Sequence, residues 1–359
     1  MSRIYLDHAA TTPLRPEARE AMLRGFEIWA NPSSPHAEGR AARAALEDAR
    51  ERVKAALGWD GEVIFTSGAS EAAALALGRA RGGRRMVSAV EHDAVLRAAP
   101  DATVLPVGPD GALDLEVLQR ELSASDTPVV AVQTINSETG NLQDFCEVAD
   151  MVDEAGGIYV IDASQGAGKY RFRYYCGMVI VSAHKFGGPI GIGALLVHDY
   201  ALLEPTGGHE RGYRRGTENL PSALGMAAAL EAGGEPYMTW DVHDLVEQLA
   251  NEVRAVGGAW FADRLDAPTG YIHAIAMPGL SARAQLMRFD LQGISVSQGS
   301  ACSSGSLHSS HVLNAMGVPA EEAERTIRVS FGWNTTREEV ERFCETWIAM
   351  AREAVERAA

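Results

Sequence analysis

Met178-Val179-Ile180-Val181-Ser182-Ala183-His184-Lys185-Phe186-Gly187-Gly188-Pro189 joins a short apolar run to a glycine-rich turn through a lysine. Four apolar residues bounded by turn signals read as a buried strand. Lys185 then stands at the C-terminal edge of a sheet, where open α/β folds gather their ligands. Desolvation there lowers an amine's pKa and favours the neutral form that condenses with a carbonyl. Upstream, Val160-Ile161-Asp162-Ala163-Ser164-Gln165 ends a second apolar run on a carboxylate. Earlier still, Glu62-Val63-Ile64-Phe65-Thr66 leads through Ser67-Gly68-Ala69-Ser70-Glu71 into an Ala/Leu-rich helix. A strand, a small-residue turn and a helix N-terminus together form an anion site.

Outward from these stretches the alternation repeats. Val129-Val130-Ala131-Val132, a helix from about Asp144 and Ala194-Leu195-Leu196-Val197 continue a series of short apolar runs between helices. That series predicts an α/β fold with a largely parallel sheet covered on both faces. Ala42, Ala45, Leu46, Ala49, Val53, Ala56 and Leu57 recur at helical spacing and stop at Gly58. The clearest break is Ala232-Gly233-Gly234-Glu235-Pro236, and Thr335 with Glu338 has capping-box spacing for a last helix to about Arg357.

Composition narrows the function. The 359 residues are 46% hydrophobic and 22% charged, a globular balance with length for two domains or one large α/β unit. A net charge of −16 repels phosphate backbones and anionic lipid, so neither nucleic acid nor membrane is an expected partner. Only Lys54, Lys169 and Lys185 could supply a reactive amine. Cys146, Cys176, Cys302 and Cys344 form no CxxC pair and no zinc spacing, which suits a reducing, cytoplasmic setting. An acid at position 7 interrupts any signal-peptide pattern, and no apolar run is long enough to span a bilayer.

A lysine for an aldehyde, a carboxylate to keep a pyridine nitrogen protonated and a phosphate-ready turn are what pyridoxal phosphate (PLP) requires. On spacing alone, Lys185 could equally be a strand-end charge and Asp162 a helix cap. With the motifs assembled, the sequence resembles the group I, NifS/IscS-like cysteine desulfurases, in the class V branch of fold-type I PLP enzymes. The resemblance runs from Tyr5-Leu6-Asp7-His8-Ala9-Ala10-Thr11-Thr12-Pro13 almost to the end. It includes Asn31-Pro32-Ser33-Ser34-Pro35-His36, Phe65 to Glu71, Glu91-His92, Gly207 to Thr217 and Gly299-Ser300-Ala301-Cys302. It implies a large PLP-binding domain over 15–235. A smaller α+β domain would be built from 1–14 and 236–359 and carry a catalytic-cysteine loop at about 295–310.

The resemblance also implies roles. Lys185 would bind the cofactor covalently, Asp162 would pair with the ring nitrogen, His92 would stack on the ring and assist proton transfer, and Gln165 would bond the phenolic oxygen. Ala69, Ser70, Ser182 and His184 would cradle the phosphate, completed by Thr217 of a second subunit, hence a homodimer. Arg328 would receive the substrate carboxylate. Asn136 lies in the family's Asn-Asn-Glu-x-Gly stretch, with Ser137 in place of the second asparagine.

Cys302 would take the sulfur of L-cysteine as a persulfide and pass it to an acceptor, an iron–sulfur scaffold or a sulfur carrier for tRNA thiolation. Its surroundings, Ser295 to Ser310, hold eight serines and two glycines, a composition for a loop. With the sequence ending at Ala359, the C-terminal extension that longer members of the resembled family use to dock a scaffold is expected to be absent. His308 and His311 near Cys302 make only two imidazoles and one thiol with no placed carboxylate, so no metal is expected. The same PLP residues could serve a selenocysteine lyase or an aminotransferase, or sit in a non-catalytic partner subunit; Cys302 argues against transamination.

Overall fold

The computed structural model describes residues 3–170, 177–234, 237–299 and 310–358. In chain order its strands are β1 (Ile4–Tyr5), β2 (Glu62–Thr66), β3 (Arg85–Ser88), β4 (Thr103–Leu105), β5 (Val129–Gln133), β6 (Ile158–Asp162), β7 (Met178–Ser182), β8 (Gly193–Val197), β9 (Ala259–Trp260), β10 (Ile272–Ala276), β11 (Ile294–Ser295) and β12 (Thr326–Ser330). Seven of them form one sheet in the order β2-β8-β7-β6-β5-β3-β4. From β4 to β7 every pairing is parallel, whereas β8 runs antiparallel to both β7 and β2.

The apolar runs are continuous because both faces of this sheet are covered. Val130, Val132, Ile161, Val179 and Val181 face a core shared with the helices Pro16–Glu27, Ala37–Leu57 and Leu220–Glu231. Val129, Ala131, Val160, Met178 and Ile180 face the opposite way, against the helix Ala69–Arg79. The helix Ala37–Leu57 stops at Gly58, whose φ of 61° is left-handed and suits glycine.

A second layer holds the three-stranded sheet β12-β10-β9 and the β1–β11 pair. Its core joins Ile4 and Leu6 to the helices Trp240–Ala255 and Arg337–Ala358. The last helix is capped one residue later than its sequence suggests. Thr336 Oγ1 accepts from Glu339 N–H and Glu339 Oε2 accepts from Thr336 N–H, whereas Thr335 Oγ1 accepts from Gly332 N–H. Both threonines precede a glutamate by three, so spacing cannot choose between them; the Gly332 turn does. Among the described residues no helix is long and apolar enough to cross a membrane.

Candidate active site

The parallel strands deliver their C-terminal ends to one edge of the sheet, and β8, being antiparallel, delivers its N-terminus there. Gln133 on β5 pairs with Asp162 on β6, and Ser182 on β7 pairs with Gly193 on β8. Over this edge lies a cavity of about 390 Å³. It is lined by Ala69, Ser70, His92, Asp162, Gln165, Ser182, His184 and Lys185, so eight residues singled out in the sequence meet in one place.

Lys185 closes a single helical turn after β7, and its Nζ donates to the carbonyls of Ala9 and Ala10 at 2.7 and 2.8 Å. The N-terminal segment therefore offers the amine two backbone acceptors. Asp162 ends β6, and its Oδ1 accepts from Ser164 N–H at 2.9 Å. Behind it Glu91 is wholly buried, its Oε1 accepting from Gln133 N–H at 2.5 Å. Burial, then the Asp162 charge, pushes the Glu91 carboxyl well above the carboxylate range. That shift favours the neutral form of the Glu91 carboxyl.

His92 caps the helix Asp93–Ala98, its Nδ1 accepting from Ala94 N–H at 3.1 Å, and the same ring lines the cavity. With Nδ1 an acceptor, a neutral ring carries its hydrogen on Nε2. His184 Nδ1 lies 3.1 Å from Thr11 Oγ1. Burial first, then Lys185, Lys169 and His92, lower its pKa to about 4, so it is neutral at pH 7. Gly68 takes a φ of 151° at the N-terminus of the helix Ala69–Arg79, a region that favours glycine. A Cβ on Gly193 would stand 2.6 Å from Val181 O and 2.9 Å from Gly68 Cα, so glycine at 193 lets both the neighbouring strand and this turn pack against it.

The donor set fits PLP. An anion-binding turn, a carboxylate and a lysine amine surround one enclosed space. The Ser164 hydroxyl, on the same wall, is buried with no hydrogen-bond partner.

Other predicted residues lie elsewhere. Asn136 is buried outside the cavity lining, its amide donating to Val90 O at 3.0 Å and accepting from Glu138 and Thr139 N–H. It ties the Gln133–Gly140 stretch to the segment before His92, and Ser137 rather than Asn136 reaches the cavity. Arg328 on β12 lines a smaller, separate space with Glu138, Gln298 and Gly299. Its guanidinium donates to Asp7 Oδ1 at 2.7 Å and Ser137 O at 2.9 Å, and its buried Nε has no partner. Thr217 is exposed, away from this chain's cavity. Cys302 and His308 lie outside the described residues, as does Cys176. Among the described residues no cluster of His, Cys, Asp or Glu could hold a metal ion.

Sequence reasoning gave no role to Asp7 or to Lys169, a wholly buried lysine whose Nζ donates to Gln165 Oε1 at 2.9 Å. The signal for Lys169 was its place four residues after Gln165, within reach across the turn that follows β6.

Residues 4–343 match the family model Aminotransferase class-V. A cysteine desulfurase of Cereibacter sphaeroides is 38% identical over 96% of this chain and 95% of its own length. The cysteine desulfurase NifS of Azotobacter vinelandii is 37% identical, covering 95% and 91%. Among solved structures, a NifS-like protein from Rickettsia africae ESF-5 superposes with a TM-score of 0.87 at 30% identity, covering 97% of this chain and 99% of that one.

Proposed function

We propose that this chain, which belongs to the class-V aminotransferase family and within it to the cysteine desulfurases, is a PLP-dependent enzyme that removes sulfur from L-cysteine and releases L-alanine. The observation that carries the reading is the single cavity lined by the Lys185 amine, the Asp162 carboxylate, the His92 imidazole and the Gly68–Ser70 turn.

Lys185 would hold the cofactor's aldehyde carbon, Asp162 its ring nitrogen and Gln165 its phenolic oxygen. The backbone at Ala69, with Ser70, Ser182 and His184, would hold its phosphate. When bound, PLP supplies a sink for the electron pair left as the Cα proton departs. Lys185 would be the base for that proton, with the Ala9 and Ala10 carbonyls keeping its amine over the cavity. His92 offers Nε2 for the transfers that follow. Arg328 takes the substrate carboxylate, with Asp7 and Ser137 fixing the plane of its guanidinium. Asn136 supports this machinery by tying Ser137 to the segment before His92.

Cys302 acts as a thiolate on the substrate's sulfur. A sulfur–sulfur bond forms as the Cβ–sulfur bond breaks, and the bonding pair stays with the carbon skeleton, which gains a proton. Cysteine and thiol thus become alanine and persulfide with no external oxidant. The persulfide passes to an acceptor protein, an iron–sulfur scaffold or a sulfur carrier. Thr217, exposed on its own chain, completes the phosphate site of a second copy in a homodimer, and the setting is cytoplasmic.

The test is alanine and sulfide released from L-cysteine by PLP-loaded protein with a thiol reductant, for wild type and Cys302→Ala. Equal amounts of both products are expected, lost in the variant while the cofactor's absorbance survives. Cofactor-loaded wild type that yields no alanine would sink the assignment.

A further inference from the structure

We propose that Lys169 is a positioning residue that fixes which end of the Gln165 amide is offered to the cofactor. The inference rests on the proposed role of Gln165 as donor to the phenolic oxygen.

Lys169 does not line the cavity. It is wholly buried behind it, with Nζ 5.0 Å from the Tyr271 ring centre and 5.4 Å from that of Tyr237. Its amine donates to Gln165 Oε1 at 2.9 Å, while Gln165 Nε2 donates to Ala9 O at 2.8 Å. Ala9 O is the carbonyl that also receives Lys185 Nζ. An amide can turn over about its last bond, exchanging nitrogen for oxygen at little steric cost. Here the turned form would set the amide NH2 against the Lys169 amine and the amide oxygen against the Ala9 carbonyl. The Ala9 contact is repulsive whatever the charge on Lys169, and the Lys169 contact is repulsive while its amine is protonated, so the pair of neighbours favours one orientation.

In that orientation the amide nitrogen gives one hydrogen to Ala9 O and keeps its second for the cofactor. Without Lys169 only the Ala9 contact opposes the turn, and the buried oxygen would lose its donor. The backbone around Gln165 is separately fixed, since Tyr271 Oη donates to Gln165 O at 2.7 Å. Lys169 therefore acts on the side chain rather than on the turn as a whole. Burial, then Lys185 and Arg328, holds the Lys169 pKa well below the lysine range, and either protonation state can donate to Oε1.

The readout is spectroscopic. A donor to the phenolic oxygen draws electron density from the ring and lowers the basicity of the nitrogen joining Lys185 to the cofactor. Loss of that donor raises the pH midpoint of the cofactor's visible absorbance. We would titrate PLP-loaded wild type, Lys169→Met, Gln165→Ala and the double variant. Gln165→Ala is expected to raise the midpoint by about half to one unit, a roughly three- to tenfold change in proton affinity. Lys169→Met should move it the same way by no more than that, and the double variant should match Gln165→Ala alone.

A midpoint unchanged by Lys169→Met while Gln165→Ala shifts it overturns the role of Lys169. A Lys169→Met shift that persists in the Gln165→Ala background overturns it too, because the lysine would then act directly on the cofactor. No shift from Gln165→Ala refutes instead the underlying reading of Gln165. Lys169→Leu, equally without a donor, is held to the same outcomes if Lys169→Met does not fold.

Discussion

Removing the Glu210 carboxylate should cost far more than a surface ion pair. Glu210 and Arg50 are 4% and 2% exposed, and their contacts are 2.9 Å (Oε2 to NH1) and 3.3 Å (Oε1 to NH2). The pair also finishes the free edge of β2, the outermost strand of the large sheet. Phe65 N–H donates to Glu210 Oε2 at 2.9 Å, and Val63 O accepts from Arg50. Glu210 and Arg211 hold left-handed φ angles of 46° and 55°, so the loop is strained where the carboxylate anchors it. Glu210→Ala would leave the buried guanidinium with only the half-exposed Glu47 carboxylate, 3.4 Å from its Nε, and without its buried counter-charge, at about 3–5 kcal/mol. At about 2.1 cal/mol/K of unfolding entropy per residue, 4 kcal/mol lowers the melting temperature of a chain this long by about 5 °C. The assay is thermal unfolding of wild type, Glu210→Ala, Arg50→Met and the double variant. The double should lose less than the two singles combined, since it leaves no unpaired charge. A Glu210→Ala loss below about 1 kcal/mol, within the exposed-pair range, would refute the argument.

Two further outcomes follow from packing at the site and in the second layer. Gly193→Ala should weaken PLP binding about tenfold, because its Cβ would press on Val181 O of the neighbouring strand and on Gly68 at the anion-binding turn; equilibrium binding of the cofactor to the apoprotein decides, and unchanged affinity would count against the turn's role. His273 is buried with its Nδ1 unpartnered, and burial is the main cause that lowers its pKa from 6.5 to about 4. Below pH 6.5 the unfolded chain takes up a proton that the folded chain refuses, so stability falls as pH drops from 6.5 towards 4, by roughly 3 kcal/mol from this group. Urea unfolding across that range should show a shallower decline for His273→Gln, and an unaltered slope would disprove the assignment.

What the sequence made legible was whatever a short segment specifies by itself. A strand buried on both faces writes its length as an apolar run, and the residue that ends it is set beside the sheet edge by chain connectivity alone. Hence Asp162, Ser182 and Lys185 could be placed without tertiary knowledge. A buried run carries no direction, however, so the antiparallel course of β8 was hidden, although it is what brings Gly193 against Gly68. The support of these groups was equally hidden. Asp7 reaches Arg328 across 321 positions, Glu210 reaches Arg50 across 160, and Ala9 reaches Gln165 across 156. Such contacts pair ordinary residue types at unpatterned separations. The Asn136 motif shows the converse: it set its second position, here Ser137, nearest the cofactor, and Ser137 lines the cavity while the turn commits the Asn136 amide to Val90, Glu138 and Thr139. A motif therefore localises chemistry to a turn, and the hydrogen bonds inside that turn decide which of its side chains remains free to act.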